Sequence, residues 1–146
     1  MAVKDPYQAG FITVHKWEKV DVTGEMLLIL DTEMDERGLN LIAPRTRALR
    51  RYEIHELLLT DEEEASPGKV VNRVAGIGFA EIEKGGVVVV GDRVLIEEAQ
   101  IGEVAGFDET HMPNHLNIVI RAQKRVNGVR LGLHPRNKVL ITGRKG

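Results

Sequence analysis

VAGIGFAEIEKGGVVVVGDRV, residues 74–94, is the stretch whose reading decides the fold. Val74, Ile77, Phe79 and Ile82 are interleaved with Gly76 and Gly78, too much glycine for a helix interior. Glycines inside an apolar strand mark a bend or bulge. Lys84-Gly85-Gly86 reads as a turn. Four valines follow at 87–90, and branching at Cβ favours the extended chain. Gly91-Asp92 turns the chain again, and residues 94–96 continue as a strand.

The same alternation of short apolar runs and turn residues continues outward. Towards the C-terminus, residues 102–106 and 116–122 read as strands. Asn127-Gly128 reads as a hairpin turn with a strand returning over 129–133. Pro135-Arg136-Asn137 turns, and 139–141 is a last strand. Towards the N-terminus, 11–20 reads as a first strand, 21–24 as a turn, 26–30 as a strand, 32–38 as a polar connector and 39–43 as a short strand ended by Pro44. After that proline, Ala48, Leu49 and Tyr52 have helical spacing, which predicts one short helix near 45–52 before a strand over 54–59. Asp61 to Gly68 carries like charges and a Pro-Gly pair, and reads as a solvated, mobile loop. The expectation is an all-β fold: a small closed or partly closed antiparallel barrel of about ten short strands, in one domain over 1–146. Closure removes the edges that valine-rich strands would otherwise expose.

Residues 74–94 resemble the second-domain barrel of translation elongation factors, with a glycine-spaced strand, a glycine turn and a valine strand ending in Gly91-Asp92-Arg93-Val94. Residues 91–120 resemble, more faintly, the barrel of the sorbitol-specific phosphotransferase IIA proteins. These resemblances imply a barrel and no function. There is no Gly-x-x-x-x-Gly-Lys-Ser/Thr loop for a GTPase. The phospho-acceptor motif of the sorbitol proteins is not matched at His15, His55 or His134. Taken whole, the chain looks like a member of a small uncharacterised prokaryotic family.

Composition excludes several functions. The chain has 146 residues, 42% hydrophobic and 29% charged, as in an ordinary globular protein. A formal net charge of -2 gives no overall field favouring nucleic acid or an anionic membrane. The absence of cysteine removes disulfides, thiolate metal sites and a cysteine nucleophile. The only serine is Ser66, in the acidic loop, which removes a serine nucleophile. No run approaches the roughly 20 apolar residues of a membrane helix. The expected location is the cytoplasm.

The candidate site is the connector Phe107-Asp108-Glu109-Thr110-His111-Met112-Pro113-Asn114-His115. A segment that only reversed the chain would need few of these groups. Three readings follow. In the first, a non-catalytic small-molecule-binding or accessory module uses the 107–117 loop: His111, Asn114 and His115 supply hydrogen bonds, Phe107 and Met112 supply apolar contact, and Asp108 and Glu109 complete the ligand-binding set. In the second, a small enzyme holds a divalent metal with His111, His115 and Asp108, and uses Asp108 or Glu109 as general acid or base. In the third, Arg45, Arg47, Arg50 and Arg51 bind phosphate or nucleic acid. The bland alternatives are histidines that bond backbone groups and arginines that form a solvated face. The expected partner is a small molecule or another protein, self-association being open. Nucleic acid and membranes are not expected.

Overall fold

A computed structural model describes residues 18–144, so the strand expected at 11–20 lies largely outside the described residues. The described residues contain eleven strands and no helix. These are β1 (Val22–Met34), β2 (Leu39–Asn40), β3 (Thr46–Leu49), β4 (Ile54–Thr60), β5 (Val70–Val71), β6 (Val74–Lys84), β7 (Gly86–Val89), β8 (Arg93–Ile96), β9 (Ala99–Asp108), β10 (Asn117–Arg121) and β11 (Lys138–Thr142). Seven of them close into a ring in the order β1-β11-β8-β9-β10-β4-β6, with β1 hydrogen-bonded back to β6. Two small ribbons, β2–β5 and β3–β7, lie against the ring.

The glycine-spaced stretch does what its composition requires. The ladder of β6 slips against β1 between Ile29 and Thr32, and against β4 between Leu57 and Leu58. Gly78, with φ of +155°, lies at this irregularity, and a Cβ there would collide with the carbonyl oxygen of Leu28. Asp92 closes the turn after the valines by accepting the Val89 backbone N–H at 2.9 Å, and pairs with Lys19 at 3.3 Å.

Alternate residues of the ring strands build two cores. Leu57, Leu59, Ile77, Phe107, Ile118 and Ile120 belong to the interior cluster. Their neighbours Leu58, Val74, Ala105 and Val119 face outward and are covered by Leu39, Leu41, Ala65 and Val71. The β2–β5 ribbon therefore buries one outer face of the wall. Leu49 of β3 and Val88 of β7 join the interior cluster, which ties in the second ribbon.

Four sequence expectations are corrected. The helix near 45–52 is instead β3, paired antiparallel with β7 from Thr46↔Val89 to Leu49↔Gly86. Ala48 and Tyr52 are exposed and only Leu49 is buried, so the apparent helical spacing never formed an apolar face. The valine strand needed a partner, and pairing overrode local propensity. The ring is mixed rather than purely antiparallel, because β4 and β10 pair in parallel from Glu56↔Asn117 to Thr60↔Arg121. Asn127-Gly128 is not a hairpin: Gly128 N–H donates to Gly76 at 3.0 Å and Val129 N–H to Leu30 at 3.1 Å, carrying turns across the ends of β1 and β6. The acidic loop at 61–68 is anchored rather than merely solvated. Ala65 is buried, its carbonyl accepts from Arg121 at 2.7 Å, and Glu62 accepts the backbone N–H groups of Asn72 and Arg73 at 2.7 Å each.

Candidate functional site

Register places the site. Leu28 pairs with Phe79, Phe79 with Glu56, Glu56 with Asn117, and Asn117 with Asp108. Directly paired residues share a face. Since their neighbours Leu57, Ile118 and Phe107 lie in the interior cluster, this row runs across the outside of the wall. The loop after β9 folds onto that row.

Asp108 anchors the loop. Its carboxylate accepts from the Asn40 backbone N–H at 2.8 Å, the Thr110 backbone N–H at 2.9 Å, the Thr110 hydroxyl at 3.0 Å and the Asn117 amide at 3.1 Å. Burial pushes its pKa up, but the bonds from Thr110, Asn40 and Asn117 outweigh that and hold it below the ordinary aspartate value. Glu109 is exposed and pairs with Arg47 at 2.9 Å. Phe107 is fully buried in the interior cluster and supports the loop from inside.

The two histidines stack, with ring centroids 5.0 Å apart and planes at 30°. His111 is exposed, and its Nε2 lies 3.0 Å from an Arg37 guanidinium nitrogen. Arginine can only donate, so His111 Nε2 is the acceptor in this contact. His115 lies beneath, edge-on to Phe79 with centroids 5.0 Å apart. The Asn114 amide nitrogen is 3.0 Å from its Nδ1. Among the described residues its Nε2 is buried without a hydrogen-bond partner, and it lies 3.7 Å from Glu56. Burial, then the neighbouring His111 and His55, lower the His115 pKa. Burial raises the Glu56 pKa against the opposing pull of Arg37 and His111.

The chain is similar to one known family: the model for a family of unknown function, DUF6917, matches residues 16–142. The chain belongs to DUF6917. No curated protein and no solved structure matches it. The likeness of residues 74–94 to the elongation-factor barrel therefore rests on the local motif.

Of the sequence candidates, the structure brings together His111, Asn114 and His115. It turns Asp108 away into its own network and commits Glu109 to Arg47. Among the described residues no three His, Asp or Glu side chains stand close enough to share a metal ion. The arginines do not form one set either, because Arg47 alone of the four pairs into the loop. Sequence reading missed Arg37, Glu56 and Phe79. Arg37 meets His111 across 74 positions, which no local pattern encodes. Glu56 left a weak signal, as a carboxylate inside the apolar run Ile54-His55-Glu56-Leu57-Leu58-Leu59. Two open clefts lie elsewhere, one beside Gly102 and Arg121 and one beside Glu97 and Lys138. No helix among the described residues is long and apolar enough to cross a membrane.

Proposed function

We propose that this protein is a non-catalytic module that binds a small molecule against the loop at 107–117. The observation that supports this reading is the contact of Arg37 with His111. A guanidinium that meets an imidazole nitrogen, and no carboxylate within ion-pair distance among the described residues, keeps further N–H donors for a ligand. Asn114 and the stacked imidazoles add a flat polar surface beside it. A hydrogen-bond-accepting ligand suits this set.

The carboxylates favour a module over an enzyme. A general acid or base has to reach its substrate. Asp108 is spent on four donors, Glu109 is paired with Arg47, and Glu56 lies in the wall beneath His115.

A thermal-shift screen of carboxylated and phosphorylated metabolites and divalent metals tests this on the parent, Arg37→Ala and His111→Ala. A hit should raise the parent melting temperature through its affinity for the folded state, and both variants should lose that rise. A hit of equal size on all three proteins, or no hit on the parent, counts against the reading.

A further inference from the structure

The turn between β3 and β4 holds a bulky, exposed residue in the backbone region that favours glycine. Glu53 N–H donates to the Arg50 carbonyl at 3.2 Å, which makes Tyr52 the third of four turn residues. Its φ is +78°. A positive φ at that position is the glycine position of a type II turn, and a bulky side chain is strained there. Glycine would relieve the strain. The Tyr52 ring is not buried in compensation, since the residue is 67% exposed. The Arg51 guanidinium lies over its ring, 4.8 Å from the centroid.

Other non-glycine residues with positive φ sharpen the contrast. Glu97 recovers a bond from the Lys138 backbone N–H at 2.6 Å, and Arg136 pairs with Glu25 at 3.3 Å. Glu98 recovers neither, but it has no ring to present. Tyr52 is the aromatic residue of the four.

The turn is held firmly. Tyr52 N–H donates to Ile82 at 2.7 Å, and Ile82 N–H donates to Glu53 at 2.9 Å. Gly85 lies so close that a Cβ there would stand 2.5 Å from the Leu49 carbonyl and 3.3 Å from Arg51 N. The Glu53 carboxylate is taken by the Arg50 backbone N–H at 2.9 Å and His55 at 3.1 Å. Neither the Arg50 nor the Arg51 side chain makes an ion pair among the described residues.

A backbone strain kept at an exposed aromatic, in a turn whose Arg50 and Arg51 side chains make no ion pair among the described residues, points outside the fold for its reason. We propose that the Arg50–Tyr52 turn is a second binding site, for a single nucleoside phosphate, whose base stacks on Tyr52 and whose phosphate is held by Arg50 and Arg51. One ring supplies one stacking platform, and guanidinium forks suit phosphate oxygens. A nucleic-acid polymer needs many phosphate contacts, and a chain of net charge -2 opposes them. The site is separate from the loop at His111 and stands or falls independently of it.

Calorimetric titration of the full chain with adenosine 5′-monophosphate, adenosine and ribose 5-phosphate tests the proposal, alongside the ligand-free melting temperature. The monophosphate should bind at least tenfold more tightly than either fragment. Tyr52→Gly should weaken it at least tenfold while raising the ligand-free melting temperature, a combination that a structural role for the ring does not give. Arg51→Ala should weaken it comparably, while Tyr52→Phe and His111→Ala should leave it within twofold. No binding at millimolar concentration, equal binding of ribose 5-phosphate, an unchanged affinity or a lower melting temperature in Tyr52→Gly, loss in His111→Ala, or affinity that grows with oligonucleotide length would each overturn it.

Discussion

The backbone N–H of Leu116 donates to Nδ1 of His55 at 3.0 Å, across 61 positions of sequence. That bond makes Nε2 the protonated nitrogen, and it donates to Glu53 at 3.1 Å. A buried histidine thus ties the turn at Tyr52 to the loop that carries His111 and His115.

His55→Ala should destabilise the protein by about 1–3 kcal/mol in urea unfolding, because it strands a buried backbone donor. His111→Ala should cost no more than about 0.5 kcal/mol, since the ring is exposed. Equal losses in the two variants would mean that the loop leans on His111 for its shape.

Asp108 sets part of the acid limb of stability. Its folded pKa is depressed, so its contribution is complete above the unfolded value of about 3.9 and is lost as pH falls through the folded value. Asp108→Ala should cost about 3 kcal/mol at pH 7, because several buried donors lose their acceptor. The gap from the parent should narrow as pH falls below about 3.9, because a protonated carboxyl accepts more weakly from the same donors. A gap that stays constant with pH in denaturant titrations would show that packing, rather than charge, carries the effect.

Glu56 and His115 tilt stability in opposite directions. The folded pKa of Glu56 is raised, so its ionisation disfavours the fold as pH rises beyond the unfolded value of about 4.3. Glu56→Gln should therefore raise the melting temperature at pH 7, with the gain vanishing below about pH 4.3. The folded pKa of His115 is lowered, so the unfolded chain takes the proton first and stability drops as pH falls below about 6.5. His115→Gln should flatten that drop. A lower melting temperature for Glu56→Gln at pH 7 would show that attraction to Arg37 outweighs burial.

Gly128→Ala should destabilise by about 1–3 kcal/mol, the range for forcing extra volume into a packed place. A Cβ there would collide with the Ile77 carbonyl oxygen and come within 2.8 Å of the Ile29 side chain. Gly132→Ala is a useful contrast, because its Cβ would meet nothing within 4 Å and only its φ of +77° is at stake. A milder loss at 128 than at 132, read by thermal unfolding, would contradict the close approach.

Valine runs, glycine-marked turns and Gly91-Asp92 determined the all-β class and the bulged strand over 74–84, because strand pairing and turn geometry respond to residues a few positions apart. Composition alone marked out the connector at 107–115. Local signals failed where two structures shared one pattern. The spacing of Ala48, Leu49 and Tyr52 fits a helix on paper, and Asn127-Gly128 fits a hairpin, until pairing of Ala48 with Val87 and Leu49 with Gly86, and contact with Gly76, decide otherwise. The parallel pairing of β4 with β10, the burial of Asp108 beneath the loop, and the meeting of Arg37 with His111 belong to the tertiary structure only. Each depends on which residues stand opposite one another across the ring. One residue of slip would send every side chain of a strand to the other face, and closure of the whole ring sets that register.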